Sequence, residues 1–253
     1  MGDTYARVMR ATDGSGDRRP ARSRAPQRPA AVSDSMAGIS VMTGTPLETA
    51  QDKEQDSAAE TTFAAAVAAF AAGQDAQCRA GLEFEDVPAP KRLAPYATAV
   101  AATVQRGEVD VAWGRLVLLY DPDGQQGWEG FFRLVAYVRA DVEPEMAADP
   151  LLGEVGWSWL AEALDAQVPG YTAPSGTVTR VITEGFGAKR DEVPLTGFEL
   201  RASWSPTGPG HQHGSAATGD TSALDLSAHI AAWCDCLSAA AGLEPPEIGR
   251  AHV

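Results

Sequence analysis

The chain has 253 residues, of which 44% are hydrophobic and 21% charged, ordinary values for a globular protein with one well-filled core or two small ones. Its net charge of −14 is uneven, because residues 1–35 hold seven arginines against four aspartates, a balance of +3, which leaves −17 for residues 36–253. A body this acidic repels nucleic acid and anionic membrane surfaces, so a polyanion would have to be bound by the arginine-rich N-terminal residues.

The sequence offers no feature of a membrane or secreted protein. No stretch reaches the ~18 consecutive apolar residues of a membrane span, and Arg18-Arg19 is not followed by the apolar segment of a signal peptide. The three cysteines do not form the framework of a disulfide-rich domain. We therefore expect a cytoplasmic protein with reduced thiols and no membrane contact.

The N-terminal region and the first helix differ sharply in composition. Residues 1–55 are rich in Ala, Arg, Pro and Ser, have almost no large apolar side chains, and are predicted to be a disordered arm. Order is predicted to begin at Ser57, which has capping-box spacing with Glu60. An amphipathic helix should follow and end near Gly73. Its apolar stripe is formed by Phe63, Val67 and Phe70.

Four strands are predicted next. Residues 81–87 alternate between apolar and acidic side chains, and residues 96–104 form a second strand after a stiff, proline-containing connector. The third and fourth strands form a hairpin over residues 114–142, because two β-rich runs flank the turn sequence of residues 121–124. In the returning strand, one face carries Phe132, Leu134, Ala136 and Val138, and the other Arg133, Val135, Tyr137 and Arg139.

The second helix contains two tryptophans. It is predicted to begin at Asp149, a good N-cap that precedes Pro150. Trp157 and Trp159 lie about 200° apart around a helix axis, so Trp159 is expected in the core and Trp157 at its boundary. There Trp157 either packs on the rim or anchors a partner. The core face is formed by Leu152, Val155 and Trp159.

The remaining elements complete the fold. Residues 176–187 and 197–204 are predicted strands, and residues 206–221 a flexible loop. The last helix covers residues 222–241, because Gly242 suits its C-terminal cap. We therefore predict one α+β domain over residues 56–249. It has an antiparallel sheet of about six strands with three helices mainly on one face, in the order α-β-β-β-β-α-β-β-α.

Three segments carry a resemblance to a known family. They are APKRLAPYA, the long run from GRLVLLYDPDGQQGWEGFF to GWSWLAEAL, and GTVTRV. They resemble the actinobacterial family catalogued as domain of unknown function 3000, over roughly residues 57–247. This resemblance implies no activity, cofactor or catalytic residue. The predicted element order also loosely resembles bacterial secretion chaperones, an analogy of topology that does not fix function.

No catalytic or metal-binding constellation is recognisable. His211 and His213 with Cys234 and Cys236 suggest a zinc site, but the two cysteines point to opposite sides of a helix and cannot share a metal. One of them is expected to be buried and the other partly exposed. Nucleophile elbow, Walker loop and His-Glu-x-x-His motifs are missing from the sequence. We expect no metal, no cofactor and a non-catalytic role.

The arginines of the predicted strands are the most informative polar residues. Arg115, Arg133, Arg139 and Arg201 project from the sheet face away from the helices, together with Glu83, Glu85 and Glu199. These charges form either cross-strand ion pairs on a solvated face or a binding face. Because Val117, Leu119, Val135 and Tyr137 interleave with the arginines, the face has much apolar area, which is typical of an interface.

These observations lead to two main functional hypotheses. The first is a protein-binding or adaptor module that uses the arginine-bearing face and Trp157. A chaperone-like role and self-association are two variants of this hypothesis. The second is an enzyme or binder of a small anionic ligand, with Arg115, Arg133 and Arg139 as clamps. A third hypothesis is nucleic-acid binding, for which the sequence offers only the arginine-rich N-terminal arm.

Overall fold

The computed structural model of the chain describes residues 50–76, 82–208 and 224–243. The predicted arm up to residue 49, His211, His213 and most of the predicted loop lie outside these ranges. The described elements, in chain order, are α1 (Ala50–Ala76), β1 (Leu82–Asp86), β2 (Tyr96–Arg106), β3 (Val109–Tyr120), β4 (Phe132–Asp141), α2 (Pro144–Ala148), α3 (Leu152–Gln167), β5 (Tyr171–Thr183), a 3-10 turn (Gly187–Lys189), β6 (Leu195–Pro206) and α4 (Leu226–Ala240).

The strands form one six-stranded sheet in the order β1-β2-β3-β4-β6-β5, and all neighbouring pairs are antiparallel. The predicted α+β class is confirmed. The turn between β3 and β4 has the expected chemistry, because the Asp121 carboxylate accepts from the Asp123 amide at 3.1 Å and Gly124 adopts a φ of 71°. Short α2, between β4 and α3, was not predicted.

The helices and one face of the sheet enclose the main core. Every second residue of β3, β4 and β6 is buried there, and α4 packs closely on the sheet: a Cβ at Gly114 would lie 2.8 Å from the Trp233 ring. Only glycine allows this approach. The largest fully buried side chains include Trp204, Trp233, Phe70, Phe198 and Leu116. The opposite face of the sheet is called the outer face below.

Helix α1 is longer than predicted at both ends. It already includes Ala50, and Ser57 lies inside it, where the Ser57 carbonyl accepts from the Thr61 hydroxyl at 2.9 Å. The predicted capping box at Ser57 is therefore wrong. Gly73 does not end the helix either. Gly73 is a contact point, because a Cβ there would lie 2.8 Å from Cα of Ser227 in α4.

Helix α3 also differs from the prediction. Asp149 precedes the helix, which begins at Leu152. The Asp149 carboxylate nevertheless accepts a hydrogen bond from the Leu151 amide at 2.8 Å. The inward stripe is formed by Leu152, Gly156, Leu160 and Leu164. Val155 is 43% exposed, and the two tryptophans flank the stripe, each half-buried. The expected place of Trp159 inside the core is therefore wrong, because glycine occupies the innermost position of this turn, while Trp157 lies at the core boundary as expected.

Helix α4 agrees with the prediction at its C-terminal end, where Gly242 has a φ of 67° and donates to the Ala239 carbonyl at 2.9 Å. Cys234 and Cys236 are both buried, so the expectation of one partly exposed thiol is wrong. Both belong to the main core, which surrounds most of this helix. Among the described helices, none combines the length and apolar character that a membrane crossing needs.

Candidate functional site on the outer face of the sheet

The strand registers align the outer-face residues into rows that run across the sheet. From β2 to β6 the rows are Thr103, Trp113, Arg139 and Glu199; then Ala101, Arg115, Tyr137 and Arg201; then Ala99, Val117, Val135 and Ser203; and then Ala97, Leu119 and Arg133. All four predicted arginines therefore lie on this face, as do Glu83 and Glu85 of β1. We call the first two rows the open half and the last two rows the covered half.

The covered half is shielded by the chain itself. Val117 is 7% and Leu119 3% exposed, because the connector after β1 and Trp128 of the β3–β4 loop pack over them. The loop is tied to the connector by Gln125, whose amide donates to the Leu93 carbonyl at 2.9 Å. Arg115 also donates to the connector, at the Pro88 carbonyl. The large exposed apolar area expected around Val117 and Leu119 does not exist.

Arg133 lies at the edge of the covered half and is 7% exposed. Its guanidinium donates to the hydroxyls of Ser205 at 3.2 Å, Ser175 at 3.3 Å and Ser203 at 2.8 Å, and to the Ser203 carbonyl at 3.2 Å. Burial lowers the pKa of the guanidinium, while the carboxylate of Glu129 acts in the opposite direction. These bonds join β4 to both β6 and β5, so Arg133 acts as a structural residue.

The backbone around Arg133 is strained. Among the described residues, Glu129 and Ala173 are the two non-glycine residues with positive φ, at 56° and 48°. They are neighbours in space, since the Thr172 hydroxyl donates to the Glu129 carboxylate. Ala173 lies in the irregularity of the β5–β6 register between Thr172 and Ser175. This bulge brings the Ser175 hydroxyl within reach of Arg133.

The open half carries two aromatic rings and a stacked arginine. Trp113 is 39% exposed, the most exposed tryptophan of the described residues. Its ring meets the edge of Tyr137 at 5.6 Å between centroids, and the Arg201 guanidinium lies 5.6 Å from the Tyr137 ring centre. Burial raises the pKa of Tyr137, and the nearby Glu199 carboxylate raises it further. The tyrosine is thus a neutral, half-buried platform between two exposed groups.

Charges of both signs surround this platform. Arg139 lies between Trp113 and Glu199 in its row, and Glu199 approaches Arg201 at 3.7 Å. The Arg201 side chain is 71% exposed and that of Glu199 19%. An ion pair of this length at the surface is weak, so the guanidinium of Arg201 keeps donors for another molecule.

Trp113 is not among the predicted binding residues. The predicted third strand starts at Gly114, one residue after Trp113, whereas β3 begins at Val109. Extending the two-residue alternation of Arg115, Val117 and Leu119 backwards would have placed Trp113 on the same face.

Trp157 lies on the helix side of the sheet, away from the outer-face arginines. Its ring packs on the edge strand, where a Cβ at Gly176 would lie 2.6 Å from it. It also lines a mainly apolar cavity of about 80 Å³ between α3 and β5, together with Leu160, Leu164, Tyr171, Pro174 and Trp204. The predicted binding residues are therefore divided: Arg115, Tyr137 and Arg139 are neighbours, Arg133 lies two rows from Tyr137, and Trp157 is on the other side.

Within the described ranges, no three His, Cys, Asp or Glu side chains converge as metal ligands. Burial raises the pKa of the Cys236 thiol to about 12, which removes it as a nucleophile at neutral pH.

A model of the family described as "Protein of unknown function (DUF3000)" matches residues 59–249. No curated protein and no solved structure matches the chain.

Proposed function

We propose that this chain, which belongs to the DUF3000 family of proteins of unknown function, is a cytoplasmic protein-binding module. It contacts its partner through the open half of the outer face. The observation that carries this proposal is the layer formed by exposed Trp113 and Arg201 around half-buried Tyr137, on a sheet face whose other half is covered by the chain itself.

The composition of this layer is that of a binding hot spot. Tryptophan, tyrosine and arginine are the residue types that most often carry the free energy of protein association. Their side chains here are held in place by one another, so little rotational freedom is lost on binding. The chain covers Val117 and Leu119 with its connector but leaves Trp113 39% exposed. This contrast supports a partner as the missing cover.

The charges of the open half indicate the partner's chemistry. Arg201 is available to a carboxylate, while Glu83 and Glu85 lie across the same rows on β1. A matching surface presents an apolar side chain to Trp113, an acidic group to Arg201, and a basic group towards β1. Alternating charges of this kind determine the register of a complex more than they increase its affinity.

The alternative of a small anionic ligand has less support. Arg133 gives its donors to three serines, and Arg115 donates to the Pro88 carbonyl. A clamp needs several guanidinium groups that converge with unused donors. Two of the three arginines proposed as clamps, Arg115 and Arg133, are therefore committed to groups of the chain itself.

Comparative capture from the native cell tests the proposal. Tagged wild-type chain, Trp113→Ala and Arg201→Glu are used as baits, and co-eluting proteins are quantified by mass spectrometry. Met146→Ala is the matched apolar control, because Met146 is 41% exposed on α2. Lys189→Glu is the matched charge reversal, because it also replaces a cation by a carboxylate, at a side chain that is 72% exposed in the turn between β5 and β6.

We expect one polypeptide to be retained by the wild type and both controls, and to be lost from both open-half variants while their Tm is unchanged. Retention of every captured protein by folded Trp113→Ala and Arg201→Glu would refute the proposal.

A further inference from the structure

The two edges of the sheet are built very differently. β1 has five residues, three of which are Glu83, Glu85 and Asp86, so it is short and acidic. β5 has thirteen residues, and most side chains from Pro174 to Thr183 are exposed. Short, charged edges, prolines and bulges are common protections against further strand pairing. In β5 the proline and the register irregularity lie before Ser175, and the regular edge that follows, up to Thr183, is long and rich in Thr, Val and Ile. β5 is therefore an edge at which another strand can be added.

The charge of β5 points to a second copy of the chain as that strand. In a protein with a net charge of −14, β5 contains no carboxylate and a single arginine, Arg180. Two equally acidic bodies repel each other least where neither presents acidic groups. An antiparallel pair of identical strands is also compatible with two-fold symmetry, the commonest symmetry of protein dimers.

The two ends of β5 complement each other. At its C-terminal end, apolar side chains are exposed: Ile182 at 53%, Phe186 at 77% and Leu195 at 48%. At its N-terminal end lies the apolar cavity of about 80 Å³, whose lining includes Tyr171, Trp157 and the exposed Pro174. Two-fold antiparallel pairing brings the C-terminal end of each strand beside the N-terminal end of the other. In the dimer, the exposed apolar side chains of each copy then lie against the apolar cavity of the other copy, once on each side of the two-fold axis.

We propose that two copies of the chain associate through β5. Their strands pair antiparallel about an axis at Val178, and the two six-stranded sheets become continuous. Pairing the segment Pro174–Ile182 with itself sets Thr177 of one copy opposite Thr179 of the other, so that side chains of the same sheet face meet. The same register carries Phe186 of the second copy alongside Gly170 and Tyr171, at the cavity.

This interface is separate from the open half of the outer face. Trp113 is on β3, three strands from β5 in the sheet order. The self-association therefore does not depend on the proposed partner contact, and the two proposals fail separately. If both hold, the dimer presents two open halves on one extended sheet, which raises the apparent affinity for a partner with two matching sites.

A charge exchange at the two-fold axis tests the proposal. Thr177 and Thr179 are exposed on the outer face of β5, close to the axis. The double variant Thr177→Glu/Thr179→Glu places carboxylates opposite carboxylates, and Thr177→Lys/Thr179→Lys places ammonium groups opposite each other. Mass is measured by light scattering after gel filtration and by sedimentation equilibrium, with Tm as the folding control.

We expect the wild type to have twice the mass of one chain, and each double variant to weaken the dimer by roughly a hundredfold. An equimolar mixture of the two variants should restore a dimer, because opposite charges then meet. Phe186→Ser should weaken the dimer, and Trp113→Ala should leave it intact.

Two results would overturn the proposal. One is a wild type that stays monomeric at all concentrations up to its solubility limit. The other is a wild-type dimer that both folded double variants retain unchanged, since the interface would then lie elsewhere.

Discussion

The indole N–H of Trp204 donates to Nδ1 of His229 at 3.1 Å, and both side chains are completely buried. Because an indole nitrogen only donates, Nδ1 must be unprotonated and the imidazole neutral. Burial lowers the pKa of His229 to about 4, against a smaller effect of Asp225, the N-cap of α4. The bond joins β6 to α4 across the core on the side opposite the proposed partner site.

This arrangement predicts acid sensitivity. The pKa of His229 is about 4 when folded and 6.5 as the reference for the unfolded chain, so between these values the unfolded chain binds the additional proton. The stabilisation is fully present above pH 6.5 and is lost as the pH falls towards 4, a loss of about 3 kcal/mol from this residue. Chemical denaturation at a series of pH values measures it.

His229→Asn isolates the effect, because the Asn carbonyl can still accept from Trp204 but does not titrate. We expect its free energy of unfolding to fall less steeply than that of the wild type between pH 6.5 and 4. Trp204→Phe should keep the wild-type slope, since burial is the main cause of the shifted pKa. Parallel curves for the wild type and His229→Asn would contradict the assignment.

Two glycines of α3 should respond oppositely to alanine. A Cβ at Gly156 would lie 2.2 Å from the Phe198 ring, which also packs against Trp159 at 5.4 Å. Gly156→Ala should therefore lose about 1–3 kcal/mol of stability by overpacking. At Gly153 a Cβ meets nothing within 4 Å, so Gly153→Ala should be neutral or gain up to about 1 kcal/mol. Equal thermal stability of the two variants would contradict the packing of α3.

Charge reversal should separate the structural arginine from the exposed one. Arg133→Glu places a carboxylate near Glu129 and leaves three serine hydroxyls without their donor, which should destabilise the domain by about 3–5 kcal/mol. Arg201→Glu should change the free energy of unfolding by less than about 0.5 kcal/mol. Urea unfolding measures both. Similar losses for the two variants would mean that Arg133 does not join the strands.

The buried thiols of α4 should resist alkylation. Cys234 and Cys236 are completely buried, and burial raises the pKa of Cys236 to about 12. At pH 8 we expect iodoacetamide to label both only at the rate of global unfolding. Peptide-resolved mass spectrometry during a urea titration checks this. Labelling in the native state faster than unfolding would show that α4 opens locally.

Much of the sheet could be predicted from sequence because strand side chains alternate with a period of two. Once Asp121–Gly124 was recognised as a turn, the positions of Arg115, Arg133 and Arg139 on one face followed. The position of every arginine of the open half on the outer face was therefore predictable. Trp113 required only a correct strand boundary.

Other features depend on contacts between distant segments. The connector covers Val117 and Leu119 because Gln125, more than thirty residues later, holds it at Leu93. Arg133 is buried by serines of β5 and β6 that a strand pattern cannot bring together. In α3, the pattern favoured Val155 and Trp159 as inward residues, but the Phe198 ring leaves room only for Gly156.

Site-specific photo-crosslinking tests the central claim most directly. Benzoylphenylalanine is incorporated at Thr103, beside Trp113 in the open half, and separately at Met146 on α2. In native cells we predict an adduct with a different polypeptide from position 103, its loss when Arg201→Glu is added, and no such adduct from position 146. The absence of any hetero-adduct from position 103, or one that Arg201→Glu leaves unchanged, would contradict the assignment of the open half as a partner-binding surface.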